Sequence, residues 1–245
     1  MVKEIGKEFM EKTKYQYLEK SDQIKGLSQP PLELPPTEKH VIELPDPNSV
    51  ELIEIPINAA INNRVSIRSY SDDPLSLEEL SYLLWSTQGV KDVVQRPSTL
   101  RTVPSAGARH CFETYLLVNK VDGLKPGLYR FLAIEHKLQE VNLSSEISEK
   151  VTKSCFNQRF VKNSAVTFIW TAVAYRMVWR YGERGYIYMH LDAGHVCQNL
   201  YLSAENIDAG VCAIAAFNDD QLNKLLGIDG EDQFAIYVAA LGKKL

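Results

Sequence analysis

The sequence predicts an α+β domain. Its strand-like runs cluster first, its longest helical stretch comes late, and no βαβ unit or other repeat recurs along the chain. At 245 residues the chain is long enough to bury one substantial core and short enough to do so as a single domain.

The elements follow in order. Residues 1–28 are charged and compatible with helix, and the run Gln29-Pro30-Pro31-Leu32-Glu33-Leu34-Pro35-Pro36 then forbids regular helix or central strand. With Pro45 and Pro47 beyond it, the segment 1–50 reads as an arm ahead of a domain at 51–245. A short helical piece near Ile57–Asn62 leads into Arg64-Val65-Ser66-Ile67-Arg68-Ser69-Tyr70. From Leu75 to Trp85 apolar residues return every three or four positions, with Ser76 placed to cap and Glu79 three residues on, the signature of a capping box. Cys111–Val118, Leu128–Leu132 and the alternating Lys137–Asn142, punctuated by Gly123 and Gly127, predict an antiparallel meander. Val166–Thr171 and Phe234–Val238 are β-branched and aromatic, as buried central strands are. A long helix is expected over Tyr186–Asn206, and a shorter one over Asp219–Leu226 that Gly227 ends.

Composition excludes several functions. A net charge of −4 gives no broad positive field, so nucleic acid is not expected as a partner. No apolar run reaches the ~18 residues of a membrane span, and the start lacks the apolar block of a secretory signal, so a cytoplasmic protein with no membrane partner is expected. Cys111, Cys155, Cys197 and Cys212 are widely spaced and read as reduced, mostly buried thiols. His190 and His195 stand five apart on the long helix and face different ways, so no metal site is expected there. No GxSxG, HExxH, P-loop or GxGxxG occurs, which leaves the chemistry to a cofactor.

Three stretches could hold one. In an extended backbone Arg64, Ser66 and Arg68 point the same way and present two guanidinium forks around a hydroxyl, an anion grip, although two arginines on a strand edge also read as a solvated rim. Pro104-Ser105-Ala106-Gly107 and Ala213-Ile214-Ala215-Ala216 are poor in bulk, so a flat ligand could approach their backbone; ordinary loop and packing roles explain them as well.

Taken in order, RxSxR at 64–68, PSAG at 104–107, Phe156-Asn157-Gln158, the helix Asp192-Ala193-Gly194-His195-Val196-Cys197-Gln198-Asn199-Leu200 and the turn 213–217 resemble the nitroreductase superfamily, with the SagB-type dehydrogenases as the nearest branch. The resemblance runs from about residue 55 to the end of the chain. It implies a nitroreductase-like fold, a mostly antiparallel central sheet flanked by helices in an intertwined homodimer, with non-covalent FMN held between subunits. By position, Arg64, Ser66 and Arg68 would grip FMN, with Asn157 or Gln158 adding hydrogen bonds. Pro104, Ser105 and Ala106 would come from the other subunit. Ile214, Ala215 and Ala216 would lie beside the ring, and Lys243 would reach the phosphate.

Azole-forming SagB relatives carry a Lys-Tyr pair before the long helix, where this chain has Arg180-Tyr181. An arginine holds its proton too tightly to act as a base, which tells against azole formation and leaves Tyr181 as the catalytic candidate, a proton donor or relay. Val65 stands where many relatives place a further basic residue. The resemblance therefore implies an FMN-dependent oxidoreductase that passes hydride from a reductant, NAD(P)H, to an electron-poor small molecule in ping-pong fashion. The alternatives are a dehydrogenase of a modified peptide or small metabolite with oxygen reoxidising FMN, and a catalytically silent flavin-binding module.

Overall fold

A computed structural model describes residues 4–95 and 97–245 of the chain. Its strands are β1 (Val41–Glu43), β2 (Val90–Val94), β3 (Ser98–Arg101), β4 (Phe112–Val118), β5 (Gly127–Leu132), β6 (Lys137–Asn142), β7 (Val166–Val173), β8 (Ala209–Ile214) and β9 (Gln233–Lys243). The helices are α1 (Ile5–Lys12), α2 (Ile57–Asn63), α3 (Leu77–Gln88), α4 (Ile147–Ser154), α5 (Phe160–Asn163), α6 (Ala174–Tyr181), α7 (Gly185–Glu205) and α8 (Asp219–Leu226).

Seven strands form one antiparallel sheet in the order β1-β6-β5-β4-β7-β9-β8, and β2 and β3 make a separate hairpin. The expected meander is β4-β5-β6, and β7 and β9 lie inside the sheet as expected. Alternation along the strands splits the core in two. Leu116, Phe168 and Trp170 face α3, α6 and α7 with Leu80, Leu84, Met177, Val196 and Leu200. Leu117, Ile169 and Val238 face the other way, onto Val151, Val161, Leu222 and Leu226 of α4, α5 and α8. Both sheet faces are thus dry, and functional groups can gather only at the sheet's edges and on the outer helix surfaces.

Local chemistry fixes the helix ends. The Glu79 N–H donates to Ser76 Oγ at 3.1 Å and the Ser76 N–H to Glu79 Oε2 at 2.9 Å, the reciprocal pair that the spacing predicts. Gly227 stops α8 at φ 74°, in the left-handed region. All four cysteines are free and buried. Three features differ from expectation. Strand β9 continues past Val238 to Lys243, because Ala239-Ala240-Leu241-Gly242, weak in strand propensity, is held between β7 and β8. Helix α6 follows β7 directly, with no turn residue to mark the change. The segment 64–68 forms no strand of its own, only one parallel bridge between Ser66 and Val211.

The arm lies along its own domain and completes buried polar networks. Arg176 and Glu113, 1% and 2% exposed, form an ion pair at 2.6 Å. Arg176 Nε also donates to Pro31 O at 2.8 Å, and the Leu34 N–H to Glu113 Oε1 at 2.8 Å. Arg130 Nη2 donates to Pro35 O at 2.7 Å, Trp179 Nε1 to Leu27 O at 3.0 Å, and Gln139 exchanges two hydrogen bonds with the Thr37 backbone. Proline explains the arrangement: its carbonyl accepts while no N–H competes for a partner, so a proline-rich strap offers acceptors to buried guanidiniums.

Candidate functional site

The free edge of β8 organises the first group of predicted residues. The Ile67 N–H donates to Val211 O at 2.9 Å, which pins the 64–68 segment along that edge. A Cβ on Gly210 would lie 2.5 Å from Ile67 Cδ1, so only glycine lets the segment sit this close. On the α7 side, Ser66 Oγ pairs with Tyr201 Oη at 3.0 Å, the Ala213 N–H donates to the same hydroxyl at 2.9 Å, and the Arg64 guanidinium lies 5.4 Å from the Tyr201 ring centroid. Arg68 lies by Cys212, where its charge opposes the upward push of burial on the thiol. Among the described residues neither Arg64 nor Arg68 has a carboxylate partner. Where β8 ends, Ile214 is buried while Ala215 and Ala216 are exposed. Gln158 Nε2 donates to Ala216 O and Cys155 O, both at 3.0 Å, and Phe156 and Asn157 adopt left-handed φ of 52° and 59° to bring Gln158 there. Arg64, Ser66, Arg68, Gln158 and Ile214–Ala216 therefore share one edge.

Lys243 is placed otherwise. It pairs with Ala209 at the start of β8, but its ammonium donates to Glu79 Oε1 at 2.5 Å and to Ile207 O at 2.7 Å. Its charge is thus already matched by a carboxylate.

Pro104, Ser105 and Ala106 sit elsewhere on α7. The His110 N–H donates to Ser105 Oγ at 2.9 Å, the Ala106 N–H approaches Asp192 Oδ1 at 3.4 Å, and Pro104 is exposed. Gly107, at φ 57°, lies under Tyr181 and Arg180: a Cβ there would come 2.4 Å from Tyr181 Oη. Asp192 and Tyr201 are nine residues apart, about 13 Å of helix rise, so within one chain the loop and the β8 edge do not meet. A cavity of about 560 Å³ between residues 49–53 and the start of α3 is lined by none of the predicted residues.

Burial raises the pKa of Asp192 despite its contacts to Ser105 and Ala106 and the nearby His195. His110 is driven down to about 3 by burial and by the charges of Arg101 and Arg109. Sequence reasoning missed Tyr201 and the role of Asp192, and the one available signal was their inward placement on the long helix. Among the described residues no cluster of three His, Cys, Asp or Glu could hold a metal, and no helix is long and apolar enough to cross a membrane.

Residues 61–243 match the profile described as the Nitroreductase family. A candidate nitroreductase of Methanocaldococcus jannaschii, MJ1384, is 31% identical over 204 residues, which cover 83% of this chain and 96% of that protein. The trifolitoxin-processing protein TfxB of Rhizobium leguminosarum bv. trifolii is 27% identical over 196 residues, covering 74% of this chain and 48% of TfxB, so the match spans about half of that protein. A crystal structure from Ralstonia eutropha, described as that of a candidate nitroreductase, superposes with a TM-score of 0.69 at 24% identity, over 89% of this chain and 99% of that one, which establishes the shared fold.

Proposed function

This chain belongs to the nitroreductase family and is an oxidoreductase, and we propose that it works through non-covalently bound FMN, passing hydride from NAD(P)H to an electron-poor small molecule in a cytoplasmic homodimer. The carrying observation is the β8 edge. Two guanidiniums without carboxylate partners flank a fixed hydroxyl, and beyond them runs exposed backbone bearing only methyl side chains. That combination fits a planar, phosphorylated group. Arg64, Ser66 and Arg68 would hold it at its charged end, Gln158 or Asn157 would add hydrogen bonds, and Ile214–Ala216 would flank the ring. FMN, when bound, supplies the hydride chemistry, and the chain supplies orientation and electrostatics.

The ring would be completed from a second copy by Pro104, Ser105 and Ala106, since one chain keeps that loop well along α7 from the edge. Apolar surface supports such a pairing: Ile53, Ile57, Ile61 and Val65 recur every four residues, each more than half exposed, and Leu191 on the outer face of α7 is 56% exposed. Lys243 would bind phosphate only by giving up Glu79. Tyr181 would donate or relay a proton.

Protein purified yellow, bleached anaerobically by NADH or NADPH and recoloured by a quinone or nitroaromatic, is the expected result. Colourless protein that ignores added FMN would end the reading. The TfxB match favours a second reading, a dehydrogenase of a modified peptide with oxygen as terminal acceptor. Bound flavin that neither nicotinamide reduces would select it.

A further inference from the structure

The junction of α6 and α7 carries an array of rings and cations that the cofactor assignment does not use. The Arg180 guanidinium lies 5.5 Å from the Tyr181 ring centroid. The Tyr181 ring meets Tyr188 edge-on at 4.9 Å. Arg184 stands between Tyr188, at 5.7 Å, and Tyr15 of the arm, at 5.4 Å, and the hydroxyls of Tyr15 and Tyr188 are hydrogen-bonded to each other. The array thus runs Arg180, Tyr181, Tyr188, Arg184, Tyr15, and it starts at the PSAG loop, because Arg180 Nε and Tyr181 Oη both close on Gly107.

The charges in this array are not balanced. Among the described residues neither Arg180 nor Arg184 forms an ion pair, although Glu183 lies between them in sequence. Arg184 Nη1 reaches Thr13 O at 3.4 Å, while its Nε is buried with no hydrogen-bond partner among the described residues. A guanidinium nitrogen withdrawn from water and left without an acceptor is costly unless a ligand supplies one. The chain's net charge of −4 would not draw anions to the surface, so attraction here would have to be local.

We propose that Arg180 and Arg184, with the rings of Tyr15, Tyr181 and Tyr188, form a subsite for a flat aromatic molecule bearing a carboxylate or equivalent anionic group. The subsite abuts the loop that the proposed function places against the flavin ring, and it rests on that reading for its role as the acceptor's seat. Stacking on tyrosine holds the ring, and the guanidinium forks hold the anion. The arm shapes one wall through Tyr15.

The test compares 4-nitrobenzoate with 4-nitrobenzamide, which differ in charge and little in shape. Calorimetric titration of each into the full-length, oxidised protein without reductant is expected to give at least about tenfold tighter binding of the anion. Arg180→Gln and Arg184→Gln should each move that ratio toward one. Arg184→Lys, which keeps the charge but loses the fork, should retain part of it, as a purely architectural role would not require. Equal binding of the two compounds, no binding of either, or a ratio indifferent to all three substitutions overturns the proposal. Turnover with NAD(P)H separates the two ideas. Charge-selective binding without reduction of either compound leaves the subsite and removes the nitroreductase reading, whereas equal binding and equal reduction do the reverse.

Discussion

Arg64 shows what a residue pattern can and cannot reveal. Its alternation with Ser66 and Arg68 was visible in the sequence, yet its fixed setting comes from Tyr201, 137 positions away, which meets Ser66, the Ala213 N–H and the Arg64 guanidinium together. No local rule links such distant positions, and so the anion grip was legible while its anchor was not. Replacing Arg64 with Ala removes a charge-assisted contact worth about 1.5–3 kcal/mol, so FMN binding should weaken by about one to two decades in a fluorescence titration of apoprotein. Unchanged affinity would refute the grip. His110 gives a prediction in pH. Its folded-state pKa lies at about 3, below the ordinary value of 6.5, so the unfolded chain takes up a proton that the folded chain refuses. Its contribution to stability is therefore whole above pH 6.5 and is lost as pH falls toward 3, by at most about 1.4 kcal/mol per unit. His110→Asn, which tolerates the left-handed φ of 42°, should flatten the urea-midpoint profile across that window. An unaltered slope would assign the acid sensitivity to carboxylates instead.

Elements were legible where a local signal marks them. The capping box at Ser76 and Glu79 set the start of α3, Gly227 set the end of α8, apolar and aromatic runs set β4 and β5, and alternation set β6. Where tertiary pairing overrides propensity, as in the second half of β9, or where no punctuation separates two elements, as between β7 and α6, sequence reasoning ran out. The strap formed by residues 29–37 is the extreme case, since its prolines announce only that it is neither helix nor central strand. Its role depends on partners in α6, β4, β5 and β6. Glu113 is the joint between strap and sheet, so Glu113→Gln should leave the Arg176 charge buried and uncompensated. The expected loss is about 3–5 kcal/mol in denaturant unfolding, with faster proteolysis of the strap. A variant as stable as the parent would show that the pair adds nothing net.

At the scale of the whole molecule, the β8 edge and the PSAG loop are hydrogen-bonded to separate places on α7, and apolar side chains from Ile53 to Val65 lie uncovered near one end of that helix. The proposed second copy would account for both facts at once. Ile57→Glu combined with Ile61→Glu should yield monomers by sedimentation velocity, and these should lose their flavin on gel filtration. Monomers that keep it would show that one chain suffices. The strap carries a different implication, concerning time. A ribosome delivers residues 29–37 before the carboxylate and guanidiniums they serve, so during synthesis the strap must wait, solvated, while the 139 residues from 38 through Arg176 emerge. Closing the strap is then a late event in the protein's birth, and a slow-translating stretch before Arg176 would lengthen the interval in which those prolines stand open to other partners.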